Sequence, residues 1–407
     1  MNSRKPEFPL AGLQVLELAN VLAGPSVGMF LAELGAEVIK VENPRSGGDV
    51  TRGWKLPGED PATDVSGYFS SVNWGKQSLA VDLTCREGLA IVERLADASD
   101  IVLSSYKPGD AEKLSVDFET LRQRNPRLIY AHLTGYGRHN PRAGYDAIIQ
   151  AEAGFTYMNG QPDGPPTKMP VALMDVLAAH QLKEALLLAL LHRERTGEGQ
   201  YIEASLIRSG VASLINQATN WLVGRSLPRR LGSDHPNIVP YGTIFPTCDG
   251  KEIVLAVGTD KQFGQLCAIL GLEDVARDER FARNHNRVRN KAQLMELLRE
   301  RIAAFPRDRL LEQLAAAAIP AGGVLDMEEV FQMPEAAAMV VRAELEDGGT
   351  IQGVRSIAFT APYCEEPGAL LPPPPYARHT RAILHRRLGM QDAEIDALVE
   401  RGVIQIQ

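Results

Sequence analysis

Strand-like and helix-like segments take turns along the opening third of the chain, and this alternation constrains the fold more than any other feature. Leu13 to Leu18 reads as a strand, Gly28 to Leu34 as a helix and Glu37 to Glu42 as a second strand. Ala23-Gly24-Pro25-Ser26 forms the turn between the first two. The pattern runs on through Ser78 to Leu83 (strand), Glu87 to Ala96 (helix), Ile101 to Ser104 (strand), Phe118 to Arg124 (helix) and Leu128 to Leu133 (strand). Strands joined by helical crossovers enter the sheet from the same end, so the spacing predicts an α/β domain with a parallel sheet.

At 407 residues the chain exceeds one ordinary core, which predicts two domains. Residues 1–224 are assigned to a large domain. The Pro, Gly, Arg and Asn of 225–240 read as a linker into a small α/β domain ending near 330, and 331–407 form a return linker and C-terminal segment. Pro372 to Pro375 force extended chain, and Thr380 to Leu398 is helical by period.

Composition narrows the function classes. Hydrophobic residues make up 44% and charged residues 23%, as in a soluble globular protein, and apolar runs are broken by charges before they could span a bilayer. The start, Met1 to Pro6, lacks the apolar region of an export signal, so a cytoplasmic protein is expected. A net charge of −8 without a long basic run disfavours nucleic acid as a partner. Cys85, Cys248, Cys267 and Cys364 lack metal-ligand or disulfide-framework spacing, and the eight histidines show no ligand pattern.

Among residues able to do chemistry, Asp175 stands out. It follows a Gly- and Pro-rich passage and precedes the apolar stretch Val176 to Leu191, where it reads as a helix N-cap. Helix N–H groups there would favour an ionised carboxylate and could hold an oxyanion, although a plain capping aspartate has the same local signature. The loop Arg45 to Trp54 joins glycines, Arg45, Arg52 and an indole, suited to phosphate contact and ring stacking or to an ordinary polar loop. Gly135-Tyr136-Gly137 closes a strand and is either a ligand-facing turn or a turn alone. The opening strand, turn, helix and strand ending in Glu42 imitate a dinucleotide site, but G-x-G-x-x-G is missing, which leaves an NAD-dependent oxidoreductase as a remote alternative. No serine-hydrolase elbow exists.

Leu10-Ala11-Gly12-Leu13-Gln14-Val15-Leu16-Glu17-Leu18, Ala23-Gly24-Pro25 and Leu34-Gly35-Ala36-Glu37-Val38-Ile39-Lys40-Val41-Glu42 together resemble the family III CoA-transferases. Gly48-Asp49 with Arg52, Asn73 with Lys76, Pro108-Gly109, Tyr145-Asp146, Gln150 with Gly154, Asp175, Thr196 to Gln200, Arg378-His379-Thr380 and Gly402-Val403-Ile404 follow in the family's order. The resemblance implies a Rossmann-like large domain plus a smaller α/β domain, with the C-terminal segment returning to the large domain, in an interlocked homodimer. It also implies that Asp175 is the nucleophile, passing through an aspartyl anhydride and an aspartyl-CoA thioester, with the CoA thioester as substrate and no permanently bound cofactor or metal.

The CoA contacts expected from it are Ala23, Gly24, Arg45, Arg52, Trp54, Tyr68, Lys107, Lys113, Gly135, Tyr136 and Tyr145. Backbone N–H groups near Asp175 and Gly24-Pro25-Ser26 are candidate oxyanion donors. Ser105-Tyr106-Lys107-Pro108-Gly109 stands where relatives often have Asn-Phe-Arg-Pro-Gly, and Leu231 to Asn237 stands where oxalate-specific members have a glycine-rich lid, which argues against a formyl-CoA:oxalate enzyme. His235 to Tyr241, Phe245-Pro246-Thr247 and Asp249-Gly250 are similar to members acting on short dicarboxylates, which points to C4 to C6 diacids, with Arg142, Lys168, Arg229 and Arg230 as cations for a second carboxylate. Transfer within one branched diacid such as mesaconyl-CoA uses the same machinery. An α-methylacyl-CoA racemase of the same superfamily would place histidine where this chain has Tyr145.

Overall fold

The first strand, β1 (Gln14–Leu18), is buried from Val15 onward, as expected of a strand covered on both faces. With β2 (Glu37–Glu42), β3 (Lys76–Val81), β4 (Ile101–Ser104), β5 (Ile129–Thr134) and β6 (Tyr201–Ser205) it builds a parallel sheet in the order β3-β2-β1-β4-β5-β6. The computed structural model describes residues 8–345, 348–362 and 370–407; Met1 to Pro6 and Cys364 lie outside them. Between β1 and β4 the strand order reverses. In doubly wound sheets the loops at the carboxyl ends of such a pair splay apart and leave a crevice.

Two compact units divide the chain. One takes the residues up to Ala153, Met169–Gly224 and Ala338–Gln407; the other takes Gly154–Lys168 and Arg225–Ala337. The core of the first packs Leu16, Leu18, Leu79, Val102 and Tyr130 of the sheet against Ile91, Val92 and Leu95 of a covering helix, and against Ile383, Leu384, Ile395 and Leu398 near the C-terminus. Each such aliphatic side chain contributes roughly 1.5–3 kcal/mol by leaving water. The second unit has its own core around Phe245, Leu255, Phe263, Leu298 and Leu310, with a small antiparallel sheet of β7 (Tyr241–Pro246), β8 (Glu252–Ala256) and β9 (Ala321–Gly323).

Several boundaries differ from the sequence expectation for local reasons. The first helix, α1 (Ala23–Glu33), absorbs the predicted turn. Pro25 lies in its first turn, where a missing N–H costs nothing, and Gly24 packs so closely on Ala19 that a Cβ would sit 2.4 Å from the alanine Cβ. The C-terminal helical stretch breaks into Thr380–Leu388 and Asp392–Glu400 because Gly389 turns left-handed at φ 66°. Two features were not expected. The hairpin of β10 (Val340–Glu344) and β11 (Thr350–Val354) has no strong alternation, and β12 (Ile404–Gln405), two residues long, adds antiparallel to the β3 edge. Among the described residues no helix is long and apolar enough to cross a membrane.

Candidate active site

A cleft of about 250 Å³ opens where the strand order reverses. Its wall takes Asn20 to Ala23 after β1, Ser105 to Pro108 after β4, and Leu133, Thr134 and Gly135 at the end of β5. Arg142 to Asp146, Asp175 and Leu206 complete it. Its volume falls below the ~300–1,000 Å³ of sites that enclose a whole ligand, so it suits the reacting end of a longer molecule.

The long helix α2 (Leu173–Thr196) delivers Asp175 to this cleft. The helix begins two residues before Asp175, so Asp175 is not its N-cap; Ala172 holds that position and has no side chain to cap with. Asp146 supplies the missing acceptor, its Oδ1 receiving the Met174 N–H at 2.8 Å and its Oδ2 the Gln150 amide at 2.8 Å. Gln150, fully buried, also accepts from the Met169 N–H and donates to the Val171 carbonyl, which fixes the chain entering the helix.

Burial first, and then the Asp146 carboxylate, push the Asp175 carboxyl up to about 7. This reverses the expectation that the helix N-terminus would hold it well ionised: losing water at the cleft floor outweighs the helix field. The Asp175 carboxyl therefore titrates near neutrality. A basic, desolvated carboxylate is a better nucleophile than one paired to a cation.

Facing the same cleft, the turn from β1 into α1 ends in a helix start that no side chain caps. First-turn N–H groups of a helix have no intrahelical acceptor, so those at Leu22 and Ala23 are free for an oxyanion. Of the expected donors, Pro25 has no N–H and Ser26 spends its own on the Leu22 carbonyl at 2.8 Å. Asn20 donates to Ser105 Oγ at 3.1 Å and ties this turn to the loop after β4. Gly135 and Gly144 touch backbone to backbone; a Cβ on Gly135 would lie 2.6 Å from the Gly144 Cα, so side chains there would lift the 142–146 segment off the cleft.

A family model for CoA-transferase family III matches residues 10–380. The chain belongs to CoA-transferase family III. A succinate–glutarate CoA-transferase of Agrobacterium fabrum is 43% identical over 364 residues, 88% of this chain and 90% of the relative. A succinyl-CoA:glutarate CoA-transferase of Mus musculus is 36% identical, covering 98% of this chain and 90% of its own. A crystal structure of a CAIB/BAIF family protein from Brucella suis superposes with TM-score 0.82 at 38% identity, covering 94% of this chain and all of that one.

Within this family III enzyme the cleft gathers Asp175, Ala23, Lys107, Gly135 and Tyr145 from the residues read in the sequence. Tyr68 stands by it: burial and then the Asp175, Asp146 and Asp49 carboxylates raise its hydroxyl. Trp54 meets Tyr68 edge-on at 5.0 Å and is 44% exposed. Others are occupied elsewhere. Arg52 is buried, bidentate to Glu42 at 2.7 and 2.8 Å and stacked 3.8 Å over Phe69, so its guanidinium holds the fold. Arg45 pairs with Asp82, Lys113 with Asp110, and the Tyr136 hydroxyl donates to Glu152. Gly24 is buried against Ala19 and does not line the cleft.

Glu42 is 1% exposed and taken by Arg52 and by the Ser78 hydroxyl, leaving no carboxylate for a ribose. A Cβ on Gly28 would lie 1.9 Å from the Glu17 carboxylate, so that glycine makes room for Glu17 and not for a pyrophosphate. Both observations remove the basis of the dinucleotide alternative. Sequence reasoning underrated Asp146, visible only as half of a motif, and missed Val21 and Leu22, which carry no chemical signal of their own.

Proposed function

We propose that this enzyme moves CoA between short dicarboxylic acids of four to six carbons, for example from succinyl-CoA, with Asp175 as covalent nucleophile. The observation that carries the proposal is an unpaired carboxylate of raised pKa on the same cleft as an uncapped helix start. The Asp175 carboxylate attacks the thioester carbonyl, the C–S bond breaks, and CoA thiolate leaves an acyl-aspartyl anhydride. Thiolate then attacks the aspartyl carbonyl, releasing the donor acid and forming an aspartyl-CoA thioester. The acceptor carboxylate displaces thiolate from that thioester, and thiolate attacks the acceptor's acyl carbonyl, restoring Asp175. Every step exchanges acyl derivatives of similar energy, and no proton is consumed. The oxyanion of each tetrahedral intermediate falls to the Leu22 and Ala23 N–H groups.

Lys107 is exposed on the cleft and serves an anionic group of the CoA ester. Of the cations considered for a second carboxylate, Arg142 lines this cleft, held by Glu152 and lying 4.3 Å over the Tyr136 ring; Lys168, Arg229 and Arg230 belong to the second unit. The names of the two curated relatives, which act on succinate and glutarate, support diacids. Transfer between two carboxyls of one branched diacid fits the same chemistry. Tyr145, 64% exposed, stands where a racemase would need imidazole, and no histidine lines the cleft among the described residues; His139 lines two other cavities.

A cytoplasmic homodimer completes the reading. Leu187, Leu188 and Leu191 of α2, all more than 40% exposed, are apolar surface that a second copy would cover. Succinyl-CoA incubated with a panel of free C4 to C6 diacids tests the function. New CoA thioesters are expected with at least one diacid. Their absence, together with solvent-deuterium exchange at the α-carbon of a 2-methylacyl-CoA, would replace the proposal with racemisation.

A further inference from the structure

Val21 adopts φ 73°, a left-handed conformation that β-branched residues almost never enter unless the surroundings hold them there. It lies in the cleft wall between Asn20 and Leu22. The holding groups come from beneath. The Asp49 carboxylate accepts the Val21 N–H at 3.2 and 3.4 Å, and the Lys40 ammonium donates to the Ala19 carbonyl at 2.8 Å. Lys40 and Asp49 pair at 2.9 Å with both side chains fully buried. Lys40 also reaches Glu17 at 3.2 Å, Glu17 pairs with Lys76 at 2.8 Å, and Lys76 donates to the Pro25 carbonyl at 2.8 Å. Two lysines and two acids, neutral as a set, thus grip the turn at Ala19, Val21 and Pro25.

Such a cluster adds little net stability. Desolvating four charges consumes most of their attraction, and apolar replacements of similar volume do as well or better in proteins where this has been measured. Asp49 also accepts the Thr51 N–H and hydroxyl in its own loop, and Lys76 donates to Asn73 Oδ1, but three of the cluster's backbone contacts, at Ala19, Val21 and Pro25, fall on one short turn. Gly48, at φ 91°, lets the chain bring Asp49 in; a Cβ there would lie 2.5 Å from the Glu42 carboxylate and 2.8 Å from the Tyr376 ring.

We infer that Lys40 and Asp49 are positioning residues for CoA transfer: their buried ion pair holds Val21 in its left-handed conformation and so sets the wall from Asn20 to Ala23 against which the thioester reacts. The inference rests on the reading of this cleft as the transfer site. Without the clamp Val21 relaxes to an ordinary φ, the Leu22 and Ala23 N–H groups turn away from the oxyanion, and the chemical steps slow while substrate still binds. Glycine visits φ near 70° unaided, so a glycine at this position makes the clamp dispensable.

The test is a double-mutant cycle of Asp49→Ala and Val21→Gly, read in kcat and KM for succinyl-CoA, with thermal unfolding to verify folding. Misplacing one oxyanion donor costs about 10²-fold in kcat. Asp49→Ala is therefore expected to lower kcat at least about tenfold in the Val21 background with KM little changed, and less than about threefold in the Val21→Gly background. Equal losses in both backgrounds, an unchanged kcat, or a loss confined to KM would overturn the clamp. Should Asp49→Ala fail to fold, Asp49→Asn, which keeps an acceptor for the Val21 N–H but drops the ion pair, is read in the same two backgrounds, with a smaller loss that again disappears beside Val21→Gly. A wild-type protein that transfers no CoA would instead sink the reading of the cleft, so the two failures are distinguishable.

Discussion

The Asp146 carboxylate accepts the backbone N–H of Met174 at 2.8 Å, one residue before Asp175. One side chain thereby caps the helix that presents Asp175 and sets a second negative charge beside it. Asp146 tunes Asp175 while positioning it.

Asp146→Asn keeps an acceptor for the Met174 N–H and removes the charge. Burial, the larger cause of the raised Asp175 pKa, remains. The acid limb of the kcat/KM profile for succinyl-CoA is expected near pH 7 in the wild type and lower in the variant, though well above the ordinary 3.8. An unmoved limb would separate Asp146 from the titration.

Asp175→Asn removes a group that holds its proton more tightly folded than unfolded. The stability it contributes is fully present below its ordinary value of 3.8 and is lost as pH rises through about 7. At pH 8 the variant is expected to be more stable than the wild type by ~1–2 kcal/mol, discounted for the solvent the cleft admits, with the difference vanishing at low pH. Thermal melts below pH 3.8 and at pH 8 measure it, and transfer activity should fall by at least about 10³-fold.

Arg52→Ala leaves Glu42 buried without its guanidinium partner. Removing one member of a buried pair costs about 3–5 kcal/mol, so a clear drop in melting temperature is expected. Because Arg52 is turned to Glu42, the protein that remains folded should keep its KM for acyl-CoA. A raised KM at unchanged stability would return Arg52 to the CoA contacts.

On the proposed function, Lys107 and Arg142, which line the same cleft, would divide the anionic groups of the substrates between them. Lys107→Ala is expected to raise KM for acyl-CoA about tenfold with little change in kcat, as loss of uniform binding does. Arg142→Met should raise KM for a diacid acceptor by a similar factor of about ten and leave a monocarboxylate acceptor unaffected.

The parallel sheet was legible because covered strands such as Ile101–Ser104, apolar through Leu103, are separated by amphipathic helices. The position of Asp175 at the head of a long helix was legible from the turn residues before it, although its exact place in the first turn was not, because the capping group is Asp146, 28 residues before the Met174 N–H it accepts. Trp54 and Arg52 look alike in the sequence, as polar-loop residues near glycines. Only packing separates an arginine stacked on Phe69 from an exposed indole beside Tyr68. Val21 was invisible for the same reason: a valine announces nothing about its backbone, and the groups that bend it come from β1, β2 and a distant loop.

The most direct measurement is intact-mass spectrometry of the protein incubated with succinyl-CoA, followed by peptide mapping with hydroxylamine as a trap. The account predicts a CoA or acyl adduct, or its hydroxamate, on Asp175, discharged when an acceptor diacid is added and absent in Asp175→Ala. Steady transfer of CoA with no adduct on Asp175 at any time, or an adduct on another residue, would contradict it.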